Sequence, residues 1–289
     1  MNFLIVTNSY NRDKKLVEKS LLTSLSQLSS EDHLLFVDQN ANALELSSKI
    51  ANHPNITTQR YEVKGVSEAR NILLSNDISS KYEWIIFCDD DGFWSENYMS
   101  TLKSIISKNP ELEIIAGSIL NSDGSGFYSP RHAIGGTLRK FIYHKLLMGS
   151  NFVVKRSCFL RLEGFDERFG TGSWWGSGEE SDFCIKAYFE KVPMEYFREL
   201  SIYHIPPRSG DLFSEMRKAW KYAMGKGALI GKWLIKKRKP IVAIELMEML
   251  IVPWIQFSIH VFKLDKKAMI FPVIFFGRLY GLVAGVLTE

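Results

Sequence analysis

The sequence predicts an α/β fold, with a mostly parallel sheet flanked by helices over residues 1–210 and a separate helical region over residues 211–289. Three observations predict it. Short apolar runs alternate with helical patterns through the first half of the chain. The alternation stops after Pro206-Pro207, where three long apolar-periodic segments follow one another. Finally, 46% of the 289 residues are hydrophobic, enough for one large core and a smaller attachment.

Strands are expected at residues 3–7, 33–37, 56–61 and 84–88, with helices at 16–28 and 67–74 between them. The opening run has no basic residues before it and is too short for a secretion signal, so it reads as the first buried strand. Residues 121–136 are polar and glycine-rich, with Gly124, Gly126, Gly135 and Gly136 marking turns, and are expected to form a long loop that can act as a lid. Regular structure resumes as a strand at 149–155 and a helix at 156–162. A glycine-rich stretch at 164–178 follows, then a helix from Glu179 to about Glu190, and the domain closes near His204.

Beyond the proline pair, helices are expected at 213–238, 241–262 and 268–287. The second is long enough to cross a bilayer, but Glu245, Glu248 and Pro253 are costly in lipid, so a surface-lying or bundled helix is expected. In the third, Gly277, Gly281 and Gly285 recur every fourth residue, a pattern that permits close helix approach, while Arg278 argues against spanning.

Charge is unevenly distributed. The net +4 conceals a +7 segment at residues 211–240, where nine Lys and Arg face only Asp211 and Glu215. Residues 241–289 are neutral, which leaves −3 for residues 1–210. A mildly acidic body excludes a general nucleic-acid binder. A basic segment next to apolar helices suits peripheral contact with an anionic membrane surface. Cys88, Cys158 and Cys184 are far apart in sequence, without the spacing of a zinc cluster or a disulfide framework, and fit a reducing cytoplasm.

The strongest chemical signal is the apolar run Trp84–Cys88 ending in Asp89, Asp90, Asp91 and Gly92. Ligands in open α/β sheets bind at such carboxyl ends of strands. Adjacent aspartates repel unless a cation lies among them, and hard oxygen donors select Mg²⁺ or Mn²⁺, which in turn holds a diphosphate. A hydrated strand-end cluster or a calcium site competes with this reading. A second signal is Gly178-Glu179-Glu180-Ser181-Asp182, which opens a helix after Trp174 and Trp175. One of its carboxylates can take a proton from an acceptor hydroxyl, or the group can simply cap the helix. A third signal is dispersed over Thr7, Asn11, Asp38 and Arg70. Thr7, Asn11 and Asp38 follow the first two strands, where a nucleotide pocket forms naturally, with Asp38 suited to the N3–H of uracil and Arg70 to phosphate or base edges. The first turn lacks G-x-G-x-x-G, which argues against a dinucleotide dehydrogenase.

Taken together, these residues resemble family 2 of the GT-A glycosyltransferases, of bacterial surface-polysaccharide type, over about residues 1–205. Thr7–Arg12 looks like the family's first turn, Asp38 like its uracil-contacting aspartate, Gly65–Asn71 like its Gly-x-Ser-x-Ala-Arg-Asn segment, and Asp89–Asp91 like its metal motif. Residues 165–170 look like its acceptor-side loop, Gly178–Asp182 like its Glu-Asp motif, and His204 like its late histidine.

The resemblance implies a GT-A Rossmann-like fold and an inverting transfer from a nucleotide-diphosphate sugar, UDP favoured and dTDP the alternative, to a glycan or lipid-linked hydroxyl. It implies Mn²⁺ or Mg²⁺ at Asp91 and Asp89 with His204, and nucleotide contacts at Thr7, Asn11, Asp38, Arg70, Asp89 and Asp90. Glu180 or Glu179 would act as base, Asp182 beside them would orient the helix start or the acceptor, and Trp174 and Trp175 would wall the acceptor. The family usually carries Asp where Glu180 stands, which leaves the choice of base open. The expected location is cytoplasmic, peripheral at the inner face of the membrane. A sugar nucleotidyltransferase and a non-catalytic sugar-nucleotide-binding module are the competing readings.

Overall fold

The computed structural model of the protein describes residues 1–75, 77–206 and 210–288. Pro207, half of the proline pair expected to separate two regions, lies outside the described residues. The chain divides into two compact units. The first comprises Met1–Lys64, Glu68–Phe165 and Phe183–Pro206; the second comprises Gly65–Ser67, Asp166–Asp182 and the described residues from Gly210 onward.

One sheet organises the first unit. Its strands are β1 (Phe3–Ser9), β2 (His33–Asp38), β3 (Ile56–Arg60), β4 (Trp84–Asp89), β5 (Gly92–Trp94), β6 (Ile114–Asn121), β7 (Phe152–Lys155) and β8 (Met194–His204), in the order β3-β2-β1-β4-β7-β6-β8-β5. The half from β3 to β4 is parallel throughout, as the alternating pattern predicts. β7 runs antiparallel between β4 and β6, β6 and β8 are parallel, and β5 pairs antiparallel with β8. The sheet is therefore mixed.

Both faces are covered, which explains why strands such as Phe3-Leu-Ile-Val read as continuous apolar runs. Leu4, Val6, Ile85 and Phe87 face a layer with Phe159 and Phe183, and Phe3, Ile5, Trp84 and Ile86 face one with Val17, Leu21, Leu102 and Ile105. The helices that supply these layers are α1 (Lys14–Leu25), α2 (Ser48–Ala51), α3 (Val66–Asn71), α4 (Tyr98–Lys108), α6 (Arg156–Arg161) and α7 (Glu179–Phe189), and the short α5 (Pro130–Ile134) lies apart from both. Asp13 caps α1 by accepting from the Leu16 amide.

Several boundaries differ from expectation. The strand expected from residue 149 begins only at Phe152, because Gly149–Asn151 forms a 3₁₀ turn in which the Asn151 side-chain amide donates to the Ser118 and Leu200 carbonyls. The expected loop at 121–136 is irregular through residue 129 and then forms α5: Leu120 bridges Phe127, and His132 of α5 is buried.

In the second unit, α8 (Leu212–Ile230) passes into a π-helical turn at Gly231–Lys236, followed by α9 (Ala243–Phe262) and α10 (Ile270–Leu287). The glycine stripe of α10 packs against α8 at backbone distance: a Cβ on Gly281 would lie 2.1 Å from the Met224 carbonyl oxygen, and one on Gly285 2.6 Å from the Ala228 Cα. Lys226 on α8 pairs with Glu245 and Glu248 at 3.2 and 2.7 Å, so the charges of α9 turn inward. Two segments, Pro240–Phe262 and Lys266–Leu287, are long and apolar enough to cross a membrane, with mean hydropathies of 1.6 and 1.9.

Candidate active site

β4 lies centrally in the sheet and delivers Asp89, Asp90 and Asp91 together at its carboxyl end. Each carboxylate has its own partners. Asp89 accepts from Arg70 Nη2 at 2.9 Å and from Ser150 Oγ at 2.6 Å. Asp90 accepts from Ser9 Oγ at 2.6 Å and Arg12 Nε at 3.0 Å. Asp91 meets Arg12 Nη2 at 3.2 Å and His204 Nε2 at 2.9 Å. The strand pairing explains the arrival of His204, since Gly92 of β5 sits opposite His204 of β8.

Asp89, Asp91 and His204 offer one ligand atom each, all within 4.8 Å of one another. His204 Nδ1 lies 2.9 Å from the Ile205 carbonyl oxygen, which can only accept, so Nδ1 carries a proton; Nε2 faces Asp91 as a donor, and loss of that second proton would leave its lone pair for a cation. That is the orientation of a metal-ligating histidine with its second nitrogen held by the backbone. Two carboxylates and an imidazole suit Mn²⁺ and also accept Mg²⁺. The donor set fits a divalent cation.

The electrostatics agree with a site built to hold positive charge. Burial pushes Asp90 up to about 6 against the opposing pull of Ser9 and Arg12. Burial also pulls on Asp91, but the bond and charge of His204, together with Arg12, outweigh it and set its carboxyl below the ordinary range. For His204, burial favours the neutral ring, yet Asp91 and Asp89 prevail and raise its pKa. The Arg70 guanidinium is buried between the Phe87 and Phe165 rings, at 5.6 and 5.7 Å from their centroids, which fixes its direction toward Asp89.

The remaining residues expected at the nucleotide pocket are distributed. Thr7 is buried within β1, opposite Phe36 and Cys88. The Asn11 backbone takes a left-handed conformation, φ 52°, and its amide donates to Asn40 Oδ1 at 2.7 Å, tying together the turns after β1 and β2. Asp38 is only 1% exposed and accepts from the Asn40 amide, the Asn40 side chain and the Leu44 amide, so in this fold it shapes the loop after β2. Ser9, Arg12 and Ser150 escaped the sequence reading as site residues. A cation in the turn after β1 is a signal for Arg12; Ser150 gives none, because only the β4–β7 pairing brings it to Asp89.

The carboxylates at the start of α7 belong to the second unit. Glu179 is buried and Glu180 half-buried. Asp182 is 3% exposed; Lys232 Nζ lies 2.7 Å from its carboxylate and Trp233 Nε1 donates to Oδ1 at 2.7 Å. Trp174 and Trp175 differ in exposure: Trp174 is 73% exposed, whereas Trp175 is buried and meets it edge-on at 6.4 Å.

The family described as Glycosyl transferase family 2 matches residues 4–169, more than half of the chain. The chain belongs to glycosyl transferase family 2. No curated protein matches the chain. Among solved structures, the chain is similar to TarS 1–349 of S. aureus in complex with UDP-GlcNAc, at TM-score 0.62 and 16% identity over 81% of this chain and 67% of that one. It is also similar to the mannosyltransferase PcManGT of Pyrobaculum calidifontis in complex with GDP-Man and Mn²⁺, at TM-score 0.64 and 15% identity over 98% and 86%. These likenesses establish the GT-A architecture of this family 2 transferase; at such identities they speak to the fold.

Proposed function

We propose that the chain is an inverting hexosyltransferase that moves a sugar from a nucleotide-diphosphate donor to a hydroxyl of a glycan or lipid-linked acceptor. The observation that carries this reading is the Asp89–Asp91–His204 cluster at the end of β4 in a member of this family. TarS was solved with UDP-GlcNAc and PcManGT with GDP-Man and Mn²⁺, which supports a nucleotide-sugar donor and a divalent cation here while leaving the base to experiment. UDP is favoured, with dTDP the alternative.

Asp89, Asp91 and His204 would hold Mn²⁺ or Mg²⁺, which supplies positive charge to a departing diphosphate. Arg12 and Arg70 add fixed positive charge among the aspartates. Thr7, Asn11, Asp38 and Asp90 frame the nucleotide side, with any direct contact from Asp38 to the base requiring its loop to open. On the acceptor side, Glu180 takes the hydroxyl proton as the acceptor oxygen bonds to the anomeric carbon and the carbon–oxygen bond to the diphosphate breaks. Glu179 is the alternative base. Exposed Trp174 offers a face for a sugar ring, and buried Trp175 supports its loop.

The test is release of nucleoside diphosphate from UDP-, dTDP- and GDP-sugars with Mn²⁺, Mg²⁺ or EDTA, comparing wild type with Asp91→Asn. Metal-dependent release from one donor, lost in the variant, is the expected result. Release that survives both EDTA and Asp91→Asn overturns the metal assignment. Absence of both release and metal-dependent binding favours a non-catalytic module.

The same proposal places the enzyme in the cytoplasm, in peripheral contact with the inner face of the cell membrane. Ile244, Met247, Ile251 and Ile255 form an exposed apolar stripe on α9, Phe276 and Tyr280 are exposed on α10, and Lys236–Lys239 supply basic charge beside them. Wild type should float with anionic vesicles and Ile251→Glu/Ile255→Glu should not; equal flotation removes the membrane from the proposal.

A further inference from the structure

A cation from the C-terminal helices reaches the carboxylates around the proposed acceptor loop. Lys232 Nζ lies 2.9 Å from Asp166 Oδ2 and 2.7 Å from the Asp182 carboxylate, and Trp233 Nε1 completes the shell of Asp182. Asp166 is also held by Arg168 at 2.7 Å. Two carboxylates thus meet an ammonium, a guanidinium and an indole.

Lys232 and Trp233 are consecutive, yet both serve Asp182. They sit in the π-helical turn Gly231–Lys236, in which the Lys237 amide bonds back to the Lys232 carbonyl, five residues earlier. π-Helical turns are rare and occur often at functional sites, and this one closes the C-terminal end of α8. Gly231 opens the turn where a Cβ would lie 2.9 Å from the Leu282 carbonyl oxygen, so α10 passes too close for a larger residue without a shift.

Asp166 and Asp182 mark the two ends of the glycine-rich loop that carries Trp174 and Trp175 and opens into Glu179 and Glu180. One ammonium therefore pins both ends of this loop. Burial pulls the Asp166 carboxyl upward, but Arg168 and Lys232 outweigh it and hold it well below the ordinary range. An apolar filler would occupy the same volume; a charged, directional network instead fixes where the first turn of α7 points.

We propose that Lys232, assisted by Trp233, is a positioning residue for the sugar-transfer step, holding the α7 carboxylates in register with their loop through Asp182 and Asp166. The inference rests on the reading of Glu180 or Glu179 as the base. It gives the C-terminal helices a part in turnover that is independent of any membrane.

The test uses the full chain and the donor selected by the nucleotide-sugar panel, with water as acceptor. Lys232→Met is expected to lower kcat about 10- to 100-fold while the donor KM and the metal-dependent donor binding stay within twofold, and Lys232→Arg is expected to restore most of the loss. Trp233→Phe, which keeps an aromatic ring while removing the Nε1 donor together with the five-membered ring, is expected to lower kcat three- to tenfold at unchanged donor KM, and it reports even if Lys232→Met does not fold. An unchanged kcat in Trp233→Phe, or losses in Lys232→Met that appear equally in kcat and donor binding, overturns the proposal. Glu180→Gln and Glu179→Gln run alongside separate the two levels: if neither lowers turnover, the base reading itself fails, whereas if one does and Trp233→Phe does not, only the positioning role fails.

Discussion

The carboxylates at the end of β4 and those around the start of α7 are stabilised in opposite ways. At β4, three successive aspartates draw on two arginines, two serines and a histidine contributed by separate segments, and the Asp89 side chain stays 32% exposed. At α7, Asp182 is sealed, with both oxygens taken up by Lys232 and Trp233. The first arrangement keeps charge available to a ligand; the second removes it from reach. Under the proposed function, proton transfer in the α7 turn would fall to Glu179 or Glu180, with Asp182 as an anchor beside them. Acidic residues clustered in sequence can therefore divide between binding, reaction and support.

The largest expected effect sharpens that division. Glu180→Gln keeps the shape of the side chain and removes its basicity, and turnover should fall by about 10² to 10⁴. Metal-dependent donor binding, read by thermal shift, should persist, whereas Asp91→Asn should lose it. A Glu180→Gln enzyme that fails to bind donor would break the comparison, since both clusters would then belong to binding.

A smaller effect is expected from the helix packing behind the second cluster. In Gly281→Ala the new methyl meets the Met224 carbonyl oxygen at 2.1 Å, a backbone atom that can yield only if α8 and α10 separate. Overpacking of this kind costs about 1–3 kcal/mol, and the short distance favours the upper end. Chemical denaturation should show the loss, and turnover should fall further than donor binding if the π-turn moves with α8. A variant of wild-type stability would show that the helices are less tightly seated than the glycine stripe implies.

The parallel half of the sheet was legible because its strands are buried on both faces and therefore read as apolar runs. Asp89–Asp91 was legible because its members are adjacent. β6 and β8 were harder: β8 carries exposed Glu199 and Tyr203 and a bulged register against β6, which break its apolar pattern. Ser150 and Lys232 were not legible at all, since each acts on an aspartate 50 or more residues away and only the tertiary fold makes the encounter. Residues 121–136 show a different limit: glycines announce turns, but a buried anchor such as His132 is invisible in a polar stretch.

That histidine supplies the smallest and most local test, because it is buried without the opposite charge both carboxylate clusters enjoy. Its Nδ1 accepts from the Ile119 amide at 2.9 Å, so the ring is neutral with its proton on Nε2, which has no hydrogen-bond partner among the described residues. The ring meets Tyr196 edge-on, and the neighbouring charge is Arg131, which repels a second proton. Burial first, and Arg131 second, lower its pKa from 6.5 to about 4. Between those values the unfolded chain binds a proton that the folded chain refuses, so stability is complete above pH 6.5 and declines as the pH falls toward 4. At pH 5 the deficit amounts to about 2 kcal/mol. His132→Asn retains an acceptor for the Ile119 amide and removes the titration. The gap between wild-type and variant unfolding free energies, read from urea denaturation, should therefore change by that amount between pH 7 and pH 5, with the variant gaining on the wild type as the solution becomes acidic. A constant gap would mean that segment 121–136 opens readily enough for His132 to protonate in the folded protein, as a lid requires.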